Sequence, residues 1–155
     1  MKISATWHKP LTLISADDGY NLDLIQVPVE PAAYIFARRW GDKAIPLYIG
    51  KSNDLRGRVK AHLNSRKLMK ALRPGRGERC LIWCTFHLRQ KQTIKRVLDI
   101  TERGLIQKSL ADGHRLVNVK GVRTPTHAVL FNGNLEARNI SSKGMFVQKH
   151  WREFA

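Results

Sequence analysis

Arg58 and His62 are four residues apart in a segment whose apolar residues recur at helical spacing. On a helix, this spacing brings both side chains to the same side, next to the stripe formed by Leu55, Val59 and Leu63. An arginine in that position can bind a phosphate through two hydrogen bonds, and a histidine can transfer a proton near neutral pH. The same pair is common on the surface of basic helices, so the spacing alone leaves both interpretations open.

Glu102 lies within the apolar stripe of a second predicted helix. It follows Leu98 by four residues and precedes Ile106 by four, which points its carboxylate to the apolar face. A carboxylate facing a core needs a cation or hydrogen-bond donors, because burying it unpaired is costly. Glu102 is therefore either a metal ligand or the partner of a Lys or Arg side chain, and its position alone does not separate these hypotheses.

Hydrophobic periodicity predicts the elements that position these residues. Runs of aromatic and β-branched residues at 33–37 and 46–49 predict a β-hairpin with a long loop turning at Gly41-Asp42. Asn53 and Asp54 are good helix caps before the helix that carries Arg58. The other predicted elements are a loop at 74–77, a strand at 79–88, a helix at about 91–111 stopped by Gly113, and a possible C-terminal hairpin of 127–131 and 135–140 turning at Asn132-Gly133.

Length and composition limit the class of protein. With 155 residues, 43% of them hydrophobic, the chain is long enough for one core and too apolar for a disordered tail. No apolar run is long enough to span a bilayer, and no apolar segment follows Lys2 as in a secretory signal. Two cysteines cannot form a disulfide framework. These observations predict an intracellular, cytoplasmic protein. The predicted strands and helices add an α+β fold, with a small central antiparallel or mixed β-sheet of about three strands flanked by helices.

The charge is strongly positive and unevenly distributed. The net charge is +16, and residues 32–75 hold eleven Lys and Arg against two acidic residues. The first 31 residues, by contrast, hold two Lys against four acidic residues. Such a surplus favours a polyanion, with nucleic acid as the first candidate and an anionic membrane as the second. The chain has no clear basic amphipathic helix with bulky aromatic anchors, so we expect no membrane partner.

One ordered series of residues resembles the GIY-YIG endonuclease family. Tyr48-Ile49-Gly50-Lys51 matches the second half of the family motif, whereas the first half keeps only its tyrosine, because Ala32 and Ala33 replace the glycine and the aliphatic residue. The resemblance covers about residues 31–120, which leaves an N-terminal extension (1–30) and a C-terminal extension (121–155). The positions that match the family in order are Tyr34, Tyr48-Ile49-Gly50-Lys51, Arg58, His62, Glu102 and Asn118.

The resemblance implies a metal-dependent phosphodiesterase that acts on DNA. It implies that Glu102 holds one Mg²⁺ or Mn²⁺ ion and that Arg58 binds the scissile phosphate. It also implies that Tyr34 is the general base or orients the attacking water, with its pKa lowered by Lys51, Arg58 and His62. The other implied roles are orientation of water or phosphate by Tyr48, proton transfer by His62, close approach of the backbone to the substrate at Gly50, and fastening of a strand by Asn118.

Further basic residues are candidates for contact with the nucleic-acid backbone, which positions the substrate without specifying sequence. Trp40 is a candidate wedge against a base, or a structural residue. The partner is predicted to be DNA, with RNA not excluded, and the protein to be a monomer or a homodimer. The candidate nucleic-acid-binding residues are Lys51, Arg56, Arg38, Arg39, Arg73 and Arg76.

Two alternatives remain open at this point. Ala32 and Ala33 in the first half-motif are also typical of a nucleic-acid-binding protein that keeps the scaffold but has weak or no catalysis. Cys80 and Cys84 have no second ligand pair at zinc spacing, so buried packing is the preferred interpretation. The sequence also leaves substrate specificity and single- or double-strand cutting undecided.

Overall fold

A computed structural model describes residues 2–119, 126–130 and 144–148 of the chain. The chain divides into two compact units, Met1–Asn118 and Val119–Ala155. The first unit contains the strands β1 (Ser4–Trp7), β2 (Leu11–Thr12), β3 (Ile14–Ala16), β4 (Gly19–Asn21), β5 (Ala32–Trp40), β6 (Lys43–Ser52) and β7 (Glu78–His87). Its α-helices are α1 (Leu55–Leu63), α2 (Arg66–Leu72) and α3 (Ile94–Ala111), and 3₁₀ turns occupy Leu24–Gln26 and Val117–Val119.

The main sheet is antiparallel throughout, and β5 lies at its centre between β6 and β7. β1 and β2 both pair with the far edge of β7, so the sheet has five strands. The prediction of an α+β fold with a sheet flanked by helices is confirmed, whereas the prediction of about three strands was too low. The sequence predicts only short strands or loops in the first 30 residues, because β1 and β2 are two to four residues long and mostly exposed.

The β5–β6 hairpin is tighter than the sequence predicts. Pairing continues to Trp40 and Lys43, and Gly41 adopts a φ of 54°, which favours glycine. The predicted long loop is therefore wrong, because a short turn joins two long strands. Because positions 38 and 39 are arginines, the apolar run ends early and does not predict the outer part of β5. A register shift between Phe36 and Ala37 absorbs an extra residue in β6.

The two faces of the sheet pack against different helices. Tyr34 and Phe36 point to the face covered by α1 and α2, where they join the core with Leu55, Val59 and Met69. The intervening residues of β5 and β6 point to the opposite face, which α3 covers. Buried residues of that second face are Ala33, Ala37, Ile49, Cys80, Cys84, Val97 and Leu98.

Side-chain caps set the starts of the helices. The Asp54 carboxylate accepts a hydrogen bond from the backbone N–H of Gly57, which confirms the predicted start of α1. Thr93 caps α3, so this helix begins at Ile94 rather than near residue 91, and Gly113 follows its end with a φ of 83°. In the part of the chain that the structure describes, no helix is long and apolar enough to cross a bilayer.

The second unit contains two paired strands, β8 (Thr126–Leu130) and β9 (Gly144–Gln148). β8 agrees with the first strand of the predicted C-terminal hairpin to within one residue at each end. Its partner is Gly144–Gln148, not 135–140 as predicted. The predicted second strand and the turn at Asn132-Gly133 lie outside the described residues.

Candidate active site

A hydrogen bond between Tyr34 and His62 forms the centre of the candidate site. The phenol oxygen of Tyr34 lies 2.7 Å from Nε2 of His62. β5 supplies the tyrosine and α1 the histidine, and the two side chains are 0% and 8% exposed. Each group therefore gives the other the polar partner that a buried group requires.

Burial controls the protonation of both groups. It is the main reason why the pKa of Tyr34 lies well above its ordinary value, outweighing the opposite effect of the Arg58 guanidinium. Burial, followed by the positive charge of Arg58, lowers the pKa of His62 to about 4. The expectation that Lys51, Arg58 and His62 lower the pKa of Tyr34 is thus wrong for the free protein. The phenol stays protonated at neutral pH, and His62 stays neutral.

Tyr48 completes an aromatic cluster around His62. Its ring stacks on that of Tyr34 at a centroid distance of 6.2 Å and meets the edge of the His62 ring at 4.9 Å. Phe36 meets the His62 ring in a T-shaped contact at 5.7 Å. Because Tyr34 is fully buried and Tyr48 is only partly buried, Tyr48 is the tyrosine of this cluster that reaches solvent.

Gly50 makes room for the phenol of Tyr34. The two residues are direct partners in the β5–β6 ladder, and a Cβ atom at position 50 would lie 2.6 Å from the phenol oxygen. The sequence suggested close approach of substrate to the backbone at Gly50. In the free protein, it is the Tyr34 side chain that approaches it.

Arg58 adds an exposed positive charge beside this cluster. It lies one turn before His62 on α1, and its charge influences the pKa of both Tyr34 and His62. Its own pKa is raised, chiefly by interaction with the Tyr34 side chain. Tyr34, Tyr48, Arg58 and His62 therefore form one cluster, here called the tyrosine cluster, on the α1 face of the sheet.

Glu102 belongs to a second cluster, on the α3 face. Its carboxylate accepts a hydrogen bond from the Lys51 ammonium, which also lies 2.9 Å from Oδ1 of Asp99. The hydrogen bond to Glu102 is the main reason why the pKa of Lys51 is raised. Lys51 follows Gly50 on β6 and therefore points to the opposite face. We call Lys51, Asp99 and Glu102 the carboxylate cluster.

The two carboxylates are suitable ligands for a hard cation. Mg²⁺ is commonly bound by one or two carboxylates, with water and substrate oxygens completing its coordination. Asp99 and Glu102 are three residues apart on α3 and both reach the same ammonium group, so their oxygens converge on one cation. Among the described residues, no group of three His, Cys, Asp or Glu side chains could hold a metal. Any divalent cation at Glu102 competes with Lys51.

Asn118 fastens the outer edge of β6 between the two clusters. Its Nδ2 donates to the carbonyl of Ile49 at 2.6 Å, and its Oδ1 accepts from the Ile49 N–H at 3.5 Å. β6 is the last strand of the sheet, so these backbone groups have no strand partner. The side chain thus acts as a short piece of neighbouring strand, next to Tyr48 and Gly50.

Several predicted nucleic-acid-binding arginines form bonds within the protein. Arg56 donates to the carbonyls of Val27 and Ile25, at 2.7 and 3.2 Å. Arg73 donates to those of Ala16 and Asp17. Arg38 lies over the Trp40 ring at 4.8 Å and donates to the Arg76 carbonyl, and Arg39 pairs with Glu78. Arg76 has an exposed side chain.

Sequence reasoning missed Asp99 and gave Arg79 the wrong role. Asp99 could have been found, because it lies three residues before Glu102 on a predicted helix. For Arg79, as for Arg73 and Arg76, the sequence predicts contact with the nucleic-acid backbone, and for Arg79 this prediction is wrong because the side chain is buried. It is 4% exposed and donates to the carbonyls of Leu72, Arg73, Pro74, Gly75 and Gly77, which holds the α2–β7 loop.

The tyrosine cluster and the carboxylate cluster lie on opposite faces of the sheet, and both depend on residues 48–51 of the edge strand β6. A cavity of about 230 Å³ lies elsewhere, between the β3–β4 hairpin and the α1–α2 corner. Searches of family models, curated proteins and solved structures find no match to this chain. The geometry of the two clusters and the motif are therefore the features of this chain that bear on its function.

Proposed function

We propose that this protein is a metal-dependent endonuclease of the GIY-YIG type that hydrolyses phosphodiester bonds in DNA. The observation that carries the proposal is the buried Tyr34–His62 hydrogen bond beside the Arg58 guanidinium. A burial-lowered histidine pKa and a buried, protonated tyrosine next to an arginine are typical of sites that transfer protons near an anion.

Arg58 and Tyr48 are the residues that would face the substrate. The guanidinium of Arg58 is exposed and can bind two oxygens of the scissile phosphate, which neutralises the negative charge that builds up during attack. Tyr48 is partly exposed and stacks on Tyr34, so its hydroxyl can orient the attacking water.

Tyr34 and His62 would receive the proton that the water loses. The Tyr34 hydroxyl can pass its proton to Nε2 of His62 while it accepts another, so that no free phenolate forms. A phosphate bound to Arg58 offsets the positive charge that helps to lower the pKa of His62. Substrate binding would therefore make His62 a better proton acceptor at the moment when one is needed.

Glu102 would hold the metal ion, with Asp99 as a second carboxylate near it. A bound Mg²⁺ or Mn²⁺ ion would supply Lewis-acid stabilisation of the charge on phosphate oxygens. Because Arg58 and Glu102 lie on opposite faces of the sheet, the phosphodiester would have to lie across the edge strand β6, which both clusters share. Lys51 must release the Glu102 carboxylate before Glu102 can bind the ion. Asp99 offers the Lys51 ammonium another partner 2.9 Å away.

Plasmid nicking in Mn²⁺ tests the proposal. Tyr34→Phe, Arg58→Ala and Glu102→Gln should each reduce the nicking rate by about 10²–10⁴, the usual contribution of a group that transfers protons or stabilises charge. Tyr20→Phe and Glu78→Gln are matched controls outside both clusters and should nick at the wild-type rate. Wild-type nicking by Glu102→Gln would refute the metal assignment, and wild-type nicking by Tyr34→Phe would refute the relay.

A second function is favoured by the ion pair at Glu102. Lys51 already neutralises this carboxylate, so the protein could bind nucleic acid on this scaffold without holding a metal ion and without cleaving it. On this hypothesis the wild-type protein binds duplex DNA and does not nick it at any Mn²⁺ concentration. Nicking by the wild type that disappears in Arg58→Ala would exclude it.

A further inference from the structure

We infer that the exposed cations of α1 and α2 form a track that binds the nucleic-acid backbone next to the phosphate held at the tyrosine cluster. The track, here called the basic face, consists of Arg58, Arg66, Lys67 and Lys70, which are all exposed. The inference rests on the proposed function, because it concerns the same substrate, and it adds the surface on which that substrate lies.

Residues 55–77 are basic to an unusual degree. They contain eight Lys and Arg residues and no Asp or Glu. None of the salt bridges found among the described residues involves a member of the basic face, whereas Arg39, Lys51 and Lys108 all pair with carboxylates. The positive charge of this face is therefore available to an external anion.

The cations of α2 occupy positions that are unfavourable for the stability of this helix. Arg66 and Lys67 occupy the first turn of α2, and no acidic residue accompanies them. The N-terminus of a helix carries a partial positive charge, so cations there are unfavourable. Arg66 and Lys70 also form a like-charged pair four residues apart, which is destabilising on a helix. Residues that break a local stability rule are expected where they serve a function.

The core holds the basic face in a fixed geometry. Leu68, Met69 and Leu72 are buried and anchor α2 on the α1 face of the sheet. Lys67 and Lys70 therefore remain one turn apart on the outer side of the helix. Side chains at this spacing are about 5–6 Å apart at Cβ, which suits contact with neighbouring phosphates along one strand.

The opposite face of the sheet does not share this character. α3 carries Lys95, Arg96, Arg103 and Lys108 together with Asp99 and Glu102, and Asp112 follows it directly. Lys108 pairs with Asp112 at the end of this helix. A polyanion is thus attracted to the surface of α1 and α2 more strongly than to that of α3.

The test compares two variants that remove the same charge from opposite faces. Lys67→Gln/Lys70→Gln changes the basic face, and Lys95→Gln/Lys108→Gln is the control on α3. Binding to a fluorescent 30-bp duplex is measured in EDTA by anisotropy across a salt series, so no cleavage occurs. Removing the cation from one phosphate lowers the salt slope by about 0.9, which is roughly eightfold in affinity at about 0.1 M salt.

The basic-face variant should therefore lose roughly 60-fold in affinity at about 0.1 M salt, with a salt slope lower by about 1.8. The control should change several-fold less. Equal losses in both variants, or no loss in the first, would overturn the inference. The inference would also be overturned if the basic-face variant lost binding to vesicles of phosphatidylglycerol but bound DNA as the wild type does. If the wild type binds the duplex but does not nick DNA in Mn²⁺, the proposed nuclease activity is refuted, whereas the inference about the basic face is not.

A stability measurement separates this role from a structural one. Lys67→Glu replaces an unfavourable cation with a favourable anion in the first turn of α2, so the Tm should rise by roughly 1–3 °C. Duplex affinity should fall in the same variant. A lower Tm together with weaker binding would indicate that Lys67 supports the fold, and would contradict the inference.

Discussion

Gly50→Ala tests whether the tyrosine cluster is built as described. The added methyl group would lie 2.6 Å from the phenol oxygen of Tyr34 and 2.7 Å from its Cζ atom. Carbon atoms prefer about 3.5–4.0 Å, so the overlap approaches 1 Å. Tyr34 is fully buried against Phe36, Tyr48 and His62. It therefore cannot move aside without disturbing its hydrogen bond to His62.

The expected cost follows from these contacts. Overpacking a core costs about 1–3 kcal/mol, and loss of the Tyr34–His62 hydrogen bond adds about 1 kcal/mol. Replacing glycine in a strand returns about 0.5–1 kcal/mol, so we expect a net destabilisation of about 1–3.5 kcal/mol. For a domain of this size, the Tm should fall by roughly 2–14 °C. Urea and thermal denaturation, followed by circular dichroism, measure both quantities.

Gly104→Ala is the matched control for this substitution. Position 104 lies inside α3, and beyond its chain neighbours and the backbone of its own helix no atom lies within 4 Å of a Cβ built there. The same chemical change should therefore stabilise the protein by about 0.5–1 kcal/mol. If Gly50→Ala melts at or above the wild-type temperature, the phenol of Tyr34 does not lie over Gly50, and the arrangement of the tyrosine cluster proposed here is refuted.

Three further predictions concern the rest of the site. The pKa of His62 is 6.5 in the unfolded chain and about 4 in the folded protein. Its contribution to the free energy of unfolding is therefore complete above pH 6.5 and is lost as the pH falls towards 4. In urea denaturation, acidification should lower the free energy of unfolding of His62→Gln by about 3 kcal/mol less than that of the wild type. Asn118→Leu should lower the free energy of unfolding by about 1–3 kcal/mol, because the edge groups of Ile49 lose their partner; no change in a urea titration would contradict this. Lys51→Gln should raise Mn²⁺ affinity about fivefold by electron paramagnetic resonance, since a half-exposed ion pair contributes up to about 1 kcal/mol. Unchanged affinity would show that Lys51 does not compete for Glu102.

The elements that carry the candidate site were largely predictable from local signals. Asp54 before an apolar stripe marks the start of α1, and the runs at 33–37 and 46–49 mark the central hairpin. Short strands or loops were predicted in the first 30 residues, but the pairing of β1 and β2 with β7 was not predictable, because these strands are short and obtain their stability from the long strand β7. Backbone hydrogen bonds to a preformed neighbour leave little trace in a local pattern of side chains.

The division of the site between two faces was only partly predictable. Once 48–51 forms a strand, alternation alone places Gly50 and Lys51 on opposite faces. Which helix covers which face depends on packing between distant segments. The sequence also could not show that Tyr34 is completely buried. That burial reverses the expected direction of its pKa, since the nearby Arg58 charge does not offset the loss of solvation.

The net charge of +16 overstates the positive charge that is available to contact a bound nucleic acid. Arg79 is buried among loop carbonyls, and Arg56 and Arg73 also donate to backbone carbonyls. If each of the four cations of the basic face contacts one phosphate, together with exposed Arg76, the salt slope for duplex binding should be about 4.5. If every unit of net charge acted independently of its place in the fold, it would be about 14. A measured slope therefore distinguishes a surface built by α1 and α2 from a charge spread over the whole protein.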